Sequence, residues 1–192
     1  MTASTLADIC YNWDLSTTDG ARRWREMVER DRPLCVVIGF PCTNWCNFSK
    51  INYAHRRGEL EALRQRDRRM LRLMVWTMLK QHHEGRYFMF ENPPTSAIWG
   101  EAELSRITSL KASVTGKCDA CAFGLMNTQQ TIPLWKQYRW LSNSSTLIDA
   151  VCVSCPGHRV HDSVSGSQTK LSGVYPVRLA QAISRAVRSL KP

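Results

Sequence analysis

A chain of 192 residues with 43% hydrophobic content has room for one domain with a real core and is too apolar to be disordered. No apolar stretch is long enough to cross a bilayer, and residues 1 to 15 lack the basic start and apolar core of a secretion signal, so a soluble, intracellular protein with no membrane partner is expected. The 26 Lys and Arg residues against 16 Asp and Glu give a net charge of +10, which points to an anionic partner, nucleic acid being the usual one, and the eight cysteines are then thiols or metal ligands.

In chain order, Asp19 to Asp31 reads as a helix with Asp19 as its cap, closed by Arg32-Pro33. The apolar run Val36-Val37-Ile38-Gly39-Phe40 reads as a central strand that breaks at Pro41-Cys42. Residues 58 to 83 carry Leu60, Leu63, Met70, Leu71, Met74, Val75 and Met78 at helical spacing, with seven arginines between Arg56 and Arg72. That basic face is either a solvated helix surface or a row of arginines along a phosphate backbone, with Arg64, Arg68 and Arg72 as the candidates. A second apolar run, Tyr87-Phe88-Met89-Phe90, ends in Glu91-Asn92 and breaks at Pro93-Pro94. A short helix around Glu101 to Ile107 follows, then a β-rich stretch from about 112 to 141, a polar loop rich in Ser, Gly and His, and a last helix from Pro176 to Leu190. The alternation up to Glu91 predicts an α/β fold with an open, mostly parallel sheet, in one domain spanning 1–192: an α/β half at 1–110, a β-rich Cys/His region at 111–175 and a closing helix at 176–190.

If both apolar runs are neighbouring parallel strands, Cys42 and Glu91 share the carboxyl edge of the sheet, where open α/β folds bind ligands. A thiol and a carboxyl facing one cleft suit nucleophilic catalysis with general acid help; the plainer alternative is a buried, inert cysteine and a strand-end carboxylate.

Gly39-Phe40-Pro41-Cys42 and Glu91-Asn92 resemble the two central catalytic motifs of DNA cytosine carbon-5 methyltransferases. The resemblance implies a class I, Rossmann-like methyltransferase fold, S-adenosylmethionine as cofactor and DNA rather than RNA as partner. It makes Cys42 the nucleophile that adds to carbon 6 of cytosine and Glu91 the acid at the ring nitrogen, with Pro41 beside the cofactor. Asp14, in Trp13-Asp14-Leu15, matches the acid beside the cofactor's adenine, and Asp8, in Ala7-Asp8-Ile9, the acid that takes the ribose hydroxyls. Asp119-Ala120-Cys121-Ala122-Phe123-Gly124 is similar to the aromatic-Gly stretch that precedes the family's Gln-and-Arg strand, with Arg139 the nearest substitute for its substrate-binding Arg. The order of motifs also resembles methyltransferase-like domains embedded in mobile-element polyproteins.

Three features depart from the family pattern. The glycine-rich cofactor loop is missing before Asp8, so a larger polypeptide or a complex would have to supply it, or the cofactor has been lost. The loop after Cys42 reads Thr43-Asn44-Trp45-Cys46-Asn47-Phe48-Ser49 in place of Gln-x-Phe-Ser, and little chain remains after Glu91 for a large target-recognition domain. Two further readings stand beside the enzyme acting on carbon 5. One is a catalytically inactive, zinc-containing nucleic-acid-binding module. The other is a methyltransferase of exocyclic amines using Asn92-Pro93-Pro94, in which Thr95 replaces the stacking aromatic of that motif.

A second constellation is Cys118-x-x-Cys121 with Cys152-x-x-Cys155, followed by His158 and His161. Four thiolates in two such knuckles suit a closed, tetrahedral structural Zn2+ site. The alternative ligand set is Cys121, Cys155, His158 and His161, which better matches positions shared with the mobile-element domains.

Overall fold

The long amphipathic helix between the two apolar runs fixes the heart of the molecule, because a strand, a helix and a strand joined in that order place the strands side by side and parallel. In the computed structural model, which describes residues 13–166, 168–169 and 172–191, the first half consists of α1 (Thr18–Asp31), β1 (Cys35–Gly39), α2 (Asn47–Asn52), α3 (Arg57–His83) and β2 (Tyr87–Asn92). A 3-10 turn (Ala97–Gly100) and α4 (Ala102–Thr108) lead to β3 (Val114–Asp119), then a second 3-10 turn (Ala120–Phe123), β4 (Leu134–Trp135), β5 (Gln137–Ser142), α5 (Ser145–Val151), β6 (Asp162–Ser163) and α6 (Val177–Ser189).

The main sheet has the order β1-β2-β5-β3. Only β1 and β2 are parallel, in register Gly39 to Glu91; β2 with β5 and β5 with β3 are antiparallel. The sheet is therefore mixed and mostly antiparallel, which corrects the expectation of an open, mostly parallel Rossmann-type sheet. The reason lies after β2: the connection through α4 carries β3, which runs in the same direction as β2, one place beyond it, and β5 returns through the Ala120 to Lys136 excursion to fill the gap antiparallel to both. Asp8, expected beside the cofactor, lies outside the described residues.

Side chains alternate across β2, so Phe88 and Phe90 enter a core with α1, α3 and α4, while Met89 and Glu91 face the side covered by α5 and α6. The first core is built on Trp24, Val28, Leu71, Met74 and Met78, and the Trp24 indole N–H donates to Thr77 Oγ1 at 2.8 Å to tie α1 to α3. The second packs Tyr138 and Trp140 of β5 against Leu147, Leu179 and Ile183. Two helix starts differ from expectation. Thr17, whose hydroxyl accepts from Gly20 N–H, caps α1 while Asp19 sits in the first turn, and Pro176 is the residue before α6 rather than within its first turn. Among the described residues no helix is long and apolar enough to cross a membrane.

Candidate functional site

After β1 the chain bends sharply, with the Cys42 carbonyl accepting from both Trp45 N and Cys46 N at 2.9 Å. Trp45, fully buried, anchors the bend. Its indole N–H donates to Asp67 Oδ2 of α3 at 2.9 Å, where Asn44 Nδ2 also donates, and Arg64 Nε donates to the Asn44 carbonyl. The guanidinium groups of Arg64 and Arg68 lie over the Trp45 ring at 5.1 and 5.5 Å. Arg68 further pairs with Glu61 and Glu101, Arg72 with Glu103 and Arg66 with Asp14. Arg64 and Arg68 are thus spent on the cysteine loop and α4, while Arg66 and Arg72 stay more than half exposed.

The loop delivers the half-buried Cys42 to the end of β2, where Glu91 is only 8% exposed. Burial pushes the Glu91 carboxyl up to about 7, with the Tyr175 hydroxyl and the Lys136 ammonium pulling against it. Tyr175 Oη donates to Glu91 Oε2 at 2.7 Å. The approach is close: a Cβ on Gly39 would stand 2.9 Å from Tyr175 Oη, so a side chain there would push the tyrosine hydroxyl aside. Lys136 donates to the Ser172 carbonyl and lies 5.1 Å over the Tyr138 ring. Burial lowers its basicity while Glu91 and Cys42 support its charge. Burial also raises the Cys42 thiol above its ordinary value, aided by Cys46 and Glu91 and opposed by Lys136. The strand ends therefore bring together a thiol, a carboxyl about half protonated at pH 7, a cation and a tyrosine. The Tyr138 hydroxyl and the Trp140 indole N–H, buried on the same sheet face, have no hydrogen-bond partner among the described residues.

Cys42 and Glu91 are brought together as the sequence suggests, and the exposed Pro41 precedes the thiol. The other expected site residues are not. Arg139 is on the opposite face of β5, its guanidinium stacked 4.4 Å over Trp99, and Lys136 takes the cationic place beside Cys42. Asn92 is fully buried, donating through Nδ2 to the Phe40 carbonyl at 2.6 Å to bind the ends of β1 and β2 together; its Oδ1 has no partner among the described residues. The Pro93 carbonyl takes the Trp99 indole N–H at 2.8 Å, so of the two acceptors that would hold an exocyclic amine this one has an internal partner, while Asn92 Oδ1 is buried without one among the described residues. Asp14 accepts from Ser16 N at 2.9 Å and Ser16 Oγ at 2.6 Å, contacts that keep its carboxyl below the usual range.

The second site lies at the far end of β3. Cys121, Cys155, His158 and His161 offer ligand atoms that all lie within 4.8 Å of one another, a cluster able to hold a metal ion. Cys155 Sγ is 3.4 Å from His158 Nδ1 and from His161 Nε2, and the latter is 3.4 Å from Cys121 Sγ. Burial and the Cys155 sulfur hold the Cys121 thiol up at about 11. Burial acts the same way on Cys155, but the backbone N–H groups of Gly157 and His158 and the Cys121 thiol bring it below the ordinary value. The Asp119 carboxylate supports the site from behind, accepting from Cys155 N at 2.8 Å and from Gln137 Nε2 at 2.7 Å. The four-cysteine set is not assembled: Cys118 is buried on β3, and Cys152 packs its Sγ against Gly116, where a Cβ would stand only 2.1 Å away. Burial pushes these two thiols up to about 12 and about 11.

Sequence reasoning missed two residues of the first site. Tyr175 stands in the Val174-Tyr175-Pro176 stretch before the last helix and carried a faint signal; Lys136 carried none, because only the β3 to β5 pairing places it. In comparisons with protein families, curated proteins and solved structures, nothing matches the chain.

Proposed function

We propose that the chain is a methyltransferase-like domain that acts on cytosine in DNA through Cys42, with a zinc ion on the Cys/His cluster. The observation that carries the reading is the meeting of a thiol and a buried carboxyl, hydrogen-bonded to Tyr175, at adjoining strand ends beside one partly buried cation. In the reaction, the Cys42 thiol gives up its proton to solvent and its sulfur forms a bond to carbon 6; the C5=C6 and C4=N3 double bonds shift to C4=C5 as the Glu91 proton passes to ring nitrogen 3, which leaves carbon 5 nucleophilic. Lys136 offsets the thiolate charge, and an acid that titrates near 7 is matched to proton transfer at neutral pH. The net charge of +10 supports a polyanionic partner.

S-adenosylmethionine, when bound, supplies the methyl group. The described residues do not by themselves fit it: they offer no glycine-rich cradle for its methionine end, and Asp14 spends its carboxylate on Ser16 and Arg66. That observation favours the second reading, a module that binds nucleic acid and has lost methyl transfer. The donors of the second site fit Zn2+ well, since two sulfurs and two imidazole nitrogens at mutual contact distance suit a tetrahedral ion.

DNA carrying 5-azacytosine, whose ring accumulates an adduct without methyl transfer, tests the thiol directly. A covalent complex should form with the natural protein and disappear in Cys42→Ser. Its absence, or its persistence in that variant, rules out the role. With 5-fluorocytosine DNA, an adduct that depends on added S-adenosylmethionine supports the enzyme, and none supports the binding module.

A further inference from the structure

The two sites are joined by one stretch of chain, 152–176, between α5 and α6. Among its described residues, Ser172 is buried, while Val153, Val160 and Val174 are 41%, 63% and 71% exposed. Its apolar anchors are Cys152, Val164 and Tyr175, partly buried against the second core, and the rest is held by other contacts. Its described regular structure is the two-residue β6, paired in parallel with β4, and a helical turn at Gln168 and Thr169. What pins the rest is polar. Cys155, His158 and His161 reach Cys121, which follows directly from β3, and Cys155 N binds Asp119. Asp162 N donates to the Pro133 carbonyl at 2.8 Å, and Asp162 Oδ2 accepts from Gln168 at 2.7 Å. Further along, the Ser172 carbonyl accepts from Lys136, and Tyr175 donates to Glu91. The ring of Tyr175 packs at 5.5 and 5.7 Å on Tyr138 and Trp140.

We infer that the described residues between 152 and 176 form a metal-pinned strap, and that occupancy of the Cys121, Cys155, His158 and His161 cluster holds Tyr175 and Ser172 against Glu91 and Lys136, so that the metal governs the Cys42 centre without touching it. Metal binding supplies the ordering energy that a strap of exposed valines and short polar contacts lacks. Tyr175 is in these terms a positioning residue: it covers Glu91 and orients its carboxyl, while the ring of Tyr175 leans on the aromatic wall of β5. Loss of the metal frees the strap, uncovers Glu91 and changes the surroundings of Cys42, while the sheet and α3, which have their own apolar cores, stay folded. The inference rests on the cluster being a metal centre and on Cys42 being an accessible thiol, but not on methyl transfer.

The test uses the full chain, zinc-loaded and after treatment with a chelator, with three measurements: metal content, backbone hydrogen exchange by peptide, and the rate of Cys42 alkylation by iodoacetamide read by mass spectrometry. Chelation should raise exchange in 152–176 and change the Cys42 rate by about fivefold or more, while peptides of α3 and β2 stay protected. Tyr175→Ala should reproduce the Cys42 change with zinc still bound. Tyr175→Phe, which keeps the ring, should leave metal content and exchange unaltered and move the pH profile of Cys42 alkylation by about half a unit or more, through the groups facing the thiol, Glu91, Lys136 and Cys46. Zinc-free protein with the same strap protection, zinc release that leaves 152–176 and Cys42 unchanged, or chelation that opens the whole domain at once would each overturn the strap. A missing cytosine adduct beside an intact strap response would instead count only against the proposed chemistry.

Discussion

Replacing Glu91 by glutamine isolates the energy stored in a buried carboxyl. The side chain is 8% exposed, and burial lifts its ionisation from 4.5 to about 7. Between those two values the folded protein holds a proton that the unfolded chain has released, so stability falls as pH rises through this window and levels off above about 7. The shift corresponds to a penalty of about 3 kcal/mol for folding with Glu91 ionised at pH 8, and of under about 1 kcal/mol at pH 5. Glutamine has nearly the same shape, keeps an oxygen for the Tyr175 hydroxyl and cannot ionise. Urea unfolding at both pH values should therefore show the Glu91→Gln protein gaining about 2.5 kcal/mol relative to the natural one on going from pH 5 to pH 8, with equal m-values. A difference that does not change with pH would mean that Glu91 ionises as freely in the fold as outside it, and the general acid role would lose its physical basis. The same variant should slow adduct formation with 5-azacytosine DNA while becoming more stable at pH 8, a pairing expected of a group kept for chemistry rather than for folding.

Three further outcomes follow from the packing. Gly116→Ala should destabilise the fold by about 1–3 kcal/mol, because its Cβ would meet Cys152 Sγ at 2.1 Å, and adding Cys152→Ala should recover most of the loss in thermal melts. Metal analysis should find that Cys121→Ser or Cys155→Ser releases zinc, whereas Cys118→Ala and Cys152→Ala retain it; loss in the latter pair would restore the four-cysteine set. Replacing both Arg64 and Arg68 by Ala should lower the melting temperature through the freed Trp45 loop and an unpaired Glu101, at a cost of about 2 kcal/mol or more, and leave the salt dependence of DNA binding nearly unchanged. A slope flattened by about two counterions in unaltered folds would put these arginines on phosphates after all.

The parts of this molecule that were legible in the sequence are those set by local rules. The strand ends at Gly39 and Asn92 were marked by apolar runs broken at proline, and α3 by its helical apolar spacing, so the meeting of Cys42 with Glu91 followed from one short βαβ unit. The strand directions after β2 were not legible, since the pairing of β5 between β2 and β3 depends on contacts far apart in sequence and leaves no periodic trace. The same non-local step decided which cation serves the site. Arg139 and Lys136 are three residues apart near β5, and strand alternation sends Arg139 to Trp99 on one face, while Lys136, just before the strand, reaches Ser172 beside the thiol. For the Cys/His cluster, spacing identified the region and could not choose between ligand sets; Gly116, which has no side chain, leaves room for Cys152 to pack against β3, away from the cluster, and Cys118 is buried on that same strand. The two cysteines left out of the cluster are thus withheld by packing that no spacing rule records: Cys152 by the space at Gly116, and Cys118 by the burial of β3.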